Sequence, residues 1–198
     1  VGDPDQAAND VEGEGSLSDE KATEVSPLEI VDVGTGSGII AICAAKHLPC
    51  ARITAIDLSR SALSVARENV SRHGVEDRVT LRPGDLLTGL PADQRFDIIA
   101  SNPPYVSEEE MTELAPEVKD FEPRGALVGG REGTEIIERL IPQAAERLNL
   151  GGHLLIELSP MIHDQVVQLI KAEPRLRFDE TIRDASRLDR IVQATKVQ

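Results

Sequence analysis

One junction constrains the fold more than any other part of this chain. The run Glu29-Ile30-Val31-Asp32-Val33 passes directly into Gly34-Thr35-Gly36-Ser37-Gly38, and a helical stretch, Ile39 to Leu48, follows at once. A strand that ends in a glycine turn and opens a helix is the start of a βαβ unit: glycine permits the tight reversal and lets a ligand approach the backbone. The alternation then continues. Arg52 to Asp57 is a second strand. Ser59 is placed to cap a helix whose apolar stripe is Ala62, Leu63, Ala66 and Val70, running to about His73. Val79 to Arg82 and Phe96 to Ser101 are a third and a fourth strand. Short helical patterns follow at Glu108 to Ala115, closed by Pro116, and a longer one at Thr134 to Leu148, with Gly151-Gly152 as its stop. His153 to Leu158 is a fifth strand, Ile162 to Lys171 a helix, and Arg177–Ile182 and Leu188–Thr195 two closing β-like runs. Alternating β and α units predict an α/β fold, a mostly parallel seven-stranded sheet with helices on both faces. The two closing runs have no helix between them, which predicts an antiparallel hairpin at one edge. Aromatic residues make up only 2% of the chain, so the core is expected to be aliphatic.

An open sheet of this kind puts its chemistry in loops at the carboxyl ends of its strands. Four such loops carry suitable residues. The first, Gly34 to Gly38, has the spacing G-x-G-x-G and not the G-x-G-x-x-G of dinucleotide binders, which disfavours NAD. No Lys-Ser or Lys-Thr follows it, which excludes a phosphate-binding P-loop. Asp57 ends the second strand 19 residues after Gly38, where a carboxylate can accept from both hydroxyls of a ribose. Asp85, in Gly84-Asp85-Leu86, follows the third strand and can accept an amino hydrogen of a base. The fourth loop, Asn102-Pro103-Pro104-Tyr105, is the most specific. Two successive prolines fix two φ angles and remove two backbone donors, leaving a stiff loop rich in acceptors. Such a loop suits a planar –NH2 group, whose two donors must both be held.

Charge narrows the substrate. The net charge is −14, and half of it lies in residues 1–27, where eight carboxylates face the single Lys21. That segment is too polar to bury a core and is expected to be an acidic flexible loop or linker ahead of a catalytic domain at 28–198. The rest of the chain is also acidic, which disfavours gripping a nucleic-acid backbone by charge. No stretch of 18 apolar residues exists, so a membrane span is not expected. Cys43 and Cys50, seven apart, read as free thiols in a reducing cytoplasm. Cys43 and His47 lie one helical turn apart, but two ligands make no metal site.

These motifs, in this order, resemble the class I S-adenosylmethionine-dependent methyltransferases, a Rossmann-like fold. The Asn-Pro-Pro-Tyr loop marks members that methylate a planar amino nitrogen. Within them the chain resembles the HemK/PrmC family, the protein-(glutamine-N5) methyltransferases of peptide chain release factors. The segment Phe121-Glu122-Pro123-Arg124-Gly125-Ala126-Leu127, then Gly129-Gly130 and Glu132-Gly133, is similar to the family's segment after the catalytic loop. Leu155-Ile156-Glu157 and Leu188-Asp189-Arg190-Ile191-Val192 are similar to its later strands. The resemblance covers about residues 28–195. The family also carries an N-terminal helical domain and an Arg-Pro-Glu-Thr-like segment, neither found here. With Val1 in place of Met, this gives the expectation of a fragment.

The resemblance implies S-adenosylmethionine as cofactor and a release factor as protein substrate. It places the cofactor among Asp32, Gly34, Thr35, Gly36, Gly38, Asp57, Leu58, Asp85, Leu86 and Asn102. Asp32 would reach the ligand's amino group. Asn102, Pro103, Pro104 and Tyr105 would form the catalytic loop, and Glu122 would shape the pocket. A monomer in the cytoplasm is expected. A nucleic-acid amino methyltransferase, acting on adenine N6 or guanine N2 in DNA or rRNA, could use the same loop. The acidic balance and the scarcity of stacking aromatics argue against it. A non-catalytic binding module is the other alternative, against which stands the retention of both Asn102 and Asp57.

Overall fold

The computed structural model describes residues 26–113 and 124–198. The acidic segment up to Val25 and the stretch Leu114 to Pro123, which includes Phe121, Glu122 and Pro123, lie outside the described residues.

Among the described residues the first four long strands are β1 (Leu28–Val33), β2 (Ala51–Asp57), β3 (Val79–Pro83) and β4 (Phe96–Ser101), with helices α1 (Ile39–His47) and α2 (Arg60–Arg72) in the first two crossovers. After β4 come the short β5 (Val106–Ser107), α3 (Glu110–Glu113), α4 (Arg124–Leu127) and β6 (Val128–Gly130). The chain then forms α5 (Glu135–Arg147), β7 (Leu148–Glu157), a 3-10 turn at Pro160–Ile162, α6 (His163–Ala172), β8 (Leu176–Arg183) and β9 (Asp189–Lys196). Seven strands form one sheet in the order β3-β2-β1-β4-β7-β9-β8. The pairs from β3 to β7 are parallel, and β9 runs antiparallel to both neighbours, as the alternation and the helix-free closing hairpin predict.

Strand alternation divides the aliphatic core in two. Ile30, Ile53 and Ala55 pack with Ala41, Ile42 and Ala45 of α1 and Val70 of α2. Val31, Val33, Ile56, Phe96 and Ile99 join Leu140, Ile141 and Ala144 of α5 and Val166 and Ile170 of α6. Successive side chains in a strand point to opposite faces, so both faces of β1 and β2 must be apolar.

One local expectation is corrected. Gly151 and Gly152 lie inside β7 and do not follow a helix; α5 ends at Arg147 and the chain extends at once. Gly151 has φ 81, and the pairing of β7 with β4 slips between Phe96 and Ile98. A Cβ on Gly152 would come 2.9 Å from the carbonyl oxygens of both Asn149 and Asp97. The glycines therefore allow a bulge where β7 crowds β4. The helix expected over Thr134 to Leu148 forms as α5 and passes through Pro142. Proline costs a helical hydrogen bond, but Ile137, Leu140, Ile141, Ala144 and Ala145 are all buried on this helix, and that packing outweighs the loss. The small parallel pair β5–β6 was not foreseen from the sequence.

No helix among the described residues is long and apolar enough to cross a membrane. Gly152→Ala should lower unfolding stability by about 1–3 kcal/mol, because the added methyl overpacks two backbone oxygens; urea denaturation will measure this.

Candidate active site

The loops after β1, β2, β3 and β4 all open at the carboxyl edge of the sheet. The order β3-β2-β1-β4 puts them side by side, and the strand order reverses between β1 and β4. A crevice at that reversal is where open α/β sheets bind ligands.

Asp32 is completely buried near the end of β1. Its Oδ2 accepts from Thr35 Oγ1 at 2.6 Å and from the backbone N–H of Ala41, in α1, at 3.1 Å. Its Oδ1 is buried with no hydrogen-bond partner. Burial is the main cause that pushes its carboxyl from 3.8 up to about 6; the bonds from Thr35 and Ala41 oppose this and the charge of Asp57 adds to it. An orphaned buried carboxylate oxygen is costly unless a donor meets it, and a cationic donor suits it best.

The glycine loop is tied to β2. Gly34 N and Thr35 N both donate to Ile56 O, at 2.8 and 2.9 Å. Gly36 N donates to Asp57 Oδ2 at 2.8 Å, while Ser59 N donates to Asp57 Oδ1 at 2.7 Å. Asp57 therefore braces two loops at once. Each oxygen has a lone pair left, so the carboxylate can still accept from two hydroxyls. Ser59 Oγ accepts from Ala62 N, which makes Ser59 the cap of α2. Gly34 and Gly36 have φ 73 and 56, and no atom lies within 4 Å of where their Cβ atoms would be, so the loop presents open backbone toward the crevice. Leu58 is 74% exposed beside Asp57 and offers an apolar surface.

Asp85 and Leu86 lie beyond β3. Gly84 N donates to Asp57 O at 3.1 Å and so joins this loop to the second. Asp85 Oδ2 pairs with Arg139 of α5, a partner that sequence reading missed. Leu86 has φ 55, a left-handed conformation that few non-glycine residues adopt. Gln143 Oε1 accepts from Leu87 N at 3.0 Å, so α5 holds the loop through two side chains.

The fourth loop is anchored at both ends. Ser101 Oγ donates to Val33 O at 2.8 Å, locking the end of β4 to β1. Beyond the loop, Val106 pairs with Val128 and Ser107 with Gly130. Asn102 is exposed, Pro103 buried, and Pro104 and Tyr105 half-buried. Tyr105 and Leu86 both pack, half-buried, against the same core cluster.

The remaining candidates separate from this site. Cys43 and Cys50 are exposed free thiols, and His47 Nδ1 bonds to the carbonyl oxygen of Cys43. No group of three metal-ligating side chains occurs among the described residues. A cavity of about 450 Å³, lined by residues such as Thr134, Gln165 and Leu169, includes no residue of the four loops.

The sequence model of the methyltransferase small domain family matches residues 20–118. The chain belongs to this family. It is 46% identical over 182 residues to a release factor glutamine methyltransferase of Rhodopirellula baltica, covering 92% of this chain and 60% of that protein. Identity is 45% over 143 residues to a protein of the same name from Koribacter versatilis, covering 72% and 50%. It is also 45% over 129 residues to a ribosomal protein uL3 glutamine methyltransferase of Bradyrhizobium diazoefficiens, covering 65% and 40%. The chain thus spans about half the length of the curated relatives it matches. Among solved structures, ribosomal protein L11 methylase from Lactobacillus delbrueckii superposes with a TM-score of 0.64 at 24% identity, covering 89% of this chain and 73% of that one. TrmN from Thermus thermophilus gives 0.63 at 19%, covering 86% and 45%. These likenesses establish the class I methyltransferase fold. Family and fold imply S-adenosylmethionine as the methyl donor. The site fits it: the orphaned Asp32 Oδ1 suits an ammonium, Asp57 has lone pairs for a ribose, and Gly34–Gly36 leave open backbone.

Because the carboxyl of Asp32 holds its proton up to about pH 6 in the folded chain and only to 3.8 as an ordinary carboxylate, folding is favoured at low pH. The contribution is complete below pH 4 and is lost as the pH rises through 6, about 3 kcal/mol in all. Urea titrations between pH 4 and 7 should show this slope in the unliganded protein, and Asp32→Asn should remove it.

Proposed function

We propose that this chain is the catalytic domain of a protein-(glutamine-N5) methyltransferase. It transfers a methyl group from S-adenosylmethionine to the side-chain amide nitrogen of a glutamine in a peptide chain release factor, in the cytoplasm. The observation that carries this reading is the adjacency of β1 and β4, which sets Asn102-Pro103-Pro104-Tyr105 beside the glycine loop at the sheet's reversal point. The similarity to proteins named release factor glutamine methyltransferases supports the choice of acceptor. A uL3 glutamine methyltransferase at 45% identity keeps a ribosomal protein as a second acceptor for the same amide chemistry. Neighbours named as RNA methylases share the fold alone.

The bound cofactor supplies an electrophilic methyl on a sulfonium sulfur. Asp32 Oδ1 would accept from its ammonium group, and binding of that cation favours the ionised carboxylate. Asp57 would accept from the two ribose hydroxyls through the lone pairs that Gly36 N and Ser59 N leave free, with Leu58 beside the base. Asp85 Oδ1, left by the Arg139 pair, and the Leu86 backbone would meet the adenine edge. Thr35 acts indirectly: its hydroxyl is spent on Asp32, so it orients the carboxylate. Gly38, the N-cap of α1 with φ 86, fits the turn against Ala66 of α2.

The amide nitrogen of glutamine is a weak nucleophile because its lone pair is delocalised into the carbonyl. Asn102 Oδ1 and the Pro103 carbonyl would accept its two N–H bonds and hold the nitrogen toward the methyl. Tyr105 would wall the amide plane, and Pro104 stiffens the loop. As the N–C bond forms and the S–C bond breaks, the nitrogen sheds one proton to water. Positioning of this kind supplies most of the rate.

Asn102→Ala should leave cofactor affinity nearly unchanged and lower transfer by about 100-fold or more. The assay offers methyl-labelled cofactor with release factor, release factor lacking its acceptor glutamine, uL3, ribosomal RNA and DNA. Label on nucleic acid alone would overturn the assignment. Asp57→Ala should instead weaken cofactor binding by about 10- to 100-fold in calorimetry, since it removes hydrogen bonds to a charged acceptor.

A further inference from the structure

The Asn102–Tyr105 loop rests on a second glycine-rich turn. A Cβ on Gly129 would lie 2.5 Å from Pro104 O and 2.5 Å from Gly133 O, and a Cβ on Gly133 would lie 2.5 Å from Tyr105 O. Real Cβ atoms do not come so close to backbone. The carbonyls of Pro104 and Tyr105 therefore sit directly on Gly129 and Gly133, at contacts that only glycine allows. Gly133 has φ 85, which favours glycine on conformational grounds too. Gly129 has no such φ. Its backbone suits any residue, so the close approach of Pro104 is what calls for glycine there.

The same turn is held from the other side. Glu135, the first residue of α5, accepts from Glu132 N through Oε1 at 2.9 Å. That backbone bond is the main cause that keeps its carboxyl below the usual range. The carboxylate also packs against Gly130, where a Cβ would collide with it. Gly130 in turn pairs with Ser107, and its carbonyl accepts from Glu108 N at 3.1 Å, just beyond the catalytic loop. Two consecutive prolines make the loop a poor shock absorber, so a displacement at Pro104 passes to the Pro103 carbonyl and Asn102.

We propose that Gly129, Gly133 and Glu135 are positioning residues for the catalytic loop: the glycines seat the Pro104 and Tyr105 carbonyls against the 129–133 turn, and Glu135 pegs that turn in place. The catalytic consequence rests on the glutamine methyltransferase reading; the structural one does not. Three variants of the full-length protein, Gly129→Ala, Glu135→Ala and Glu135→Gln, test it by two measurements. In the first, amide hydrogen exchange of the 105–108 segment should be about tenfold faster in Gly129→Ala and Glu135→Ala, as local opening of that loop requires. In the second, Gly129→Ala should keep cofactor affinity and acceptor KM within about twofold and lose about 100-fold in kcat, the cost of an ångström-scale misplacement. Glu135→Ala should follow the same pattern more weakly, and Glu135→Gln, which retains an acceptor for Glu132 N, should restore it. Unchanged exchange at 105–108 overturns the proposal whatever the activity. So does wild-type kcat in Gly129→Ala, or a loss of kcat matched by an equal loss of cofactor affinity. If the parent protein transfers nothing to glutamine, the functional reading falls, while the exchange measurement still decides whether these residues hold the loop.

Discussion

The buried carboxylate of Asp32 is the constraint on which the site depends. One oxygen joins the end of β1, the glycine loop through Thr35 and the first turn of α1 through Ala41; the other is buried without a partner. A polar atom in that state raises the free energy of the unliganded chain. A cationic donor is the group best suited to meet that atom. The rise of its pKa to about 6 expresses this tension, with burial as its chief cause. Stability is thus given up at one residue to keep a buried acceptor unpartnered, as is common where a fold carries a site.

Around that residue the loops support one another through backbone. Asp57 accepts from Gly36 N and Ser59 N, and its carbonyl accepts from Gly84 N, so the first three loops form one connected unit. The fourth is stiff for a different reason. Its prolines restrict it from within, Ser101 ties its start to β1, and the β5–β6 pair ties its end to the 128–130 strand. Three loops joined by hydrogen bonds and a fourth clamped at both ends thus line one edge of the sheet.

Much of this was readable one residue at a time. The strand–glycine–helix junction at residues 29–39, the cap at Ser59 and the acceptor-rich loop at 102–105 are local patterns with local causes. Other features were not readable because their causes are distant. Gly151-Gly152 resembles a helix stop, but the crowding that requires glycine comes from Asp97, on another strand. Arg139 carries no sign in the sequence of its pairing with Asp85, 54 positions earlier. Gly129 and Gly133 stand out as glycines, but the carbonyls that need them belong to Pro104 and Tyr105.

Sequence alone settles most of the long strands and helices and what each loop can accept or donate, since φ restriction, side-chain type and capping are properties of a few adjacent residues. Tertiary structure decides which loops meet. β1 and β4 are neighbours only because a sheet with two apolar faces must be covered on both sides, and the order β3-β2-β1-β4 satisfies that. That pairing places the Asn102–Tyr105 loop beside Asp32. The orphaned state of Asp32 Oδ1 is likewise a tertiary fact, because burial and hydrogen bonding are properties of surroundings that the chain assembles from distant parts of itself.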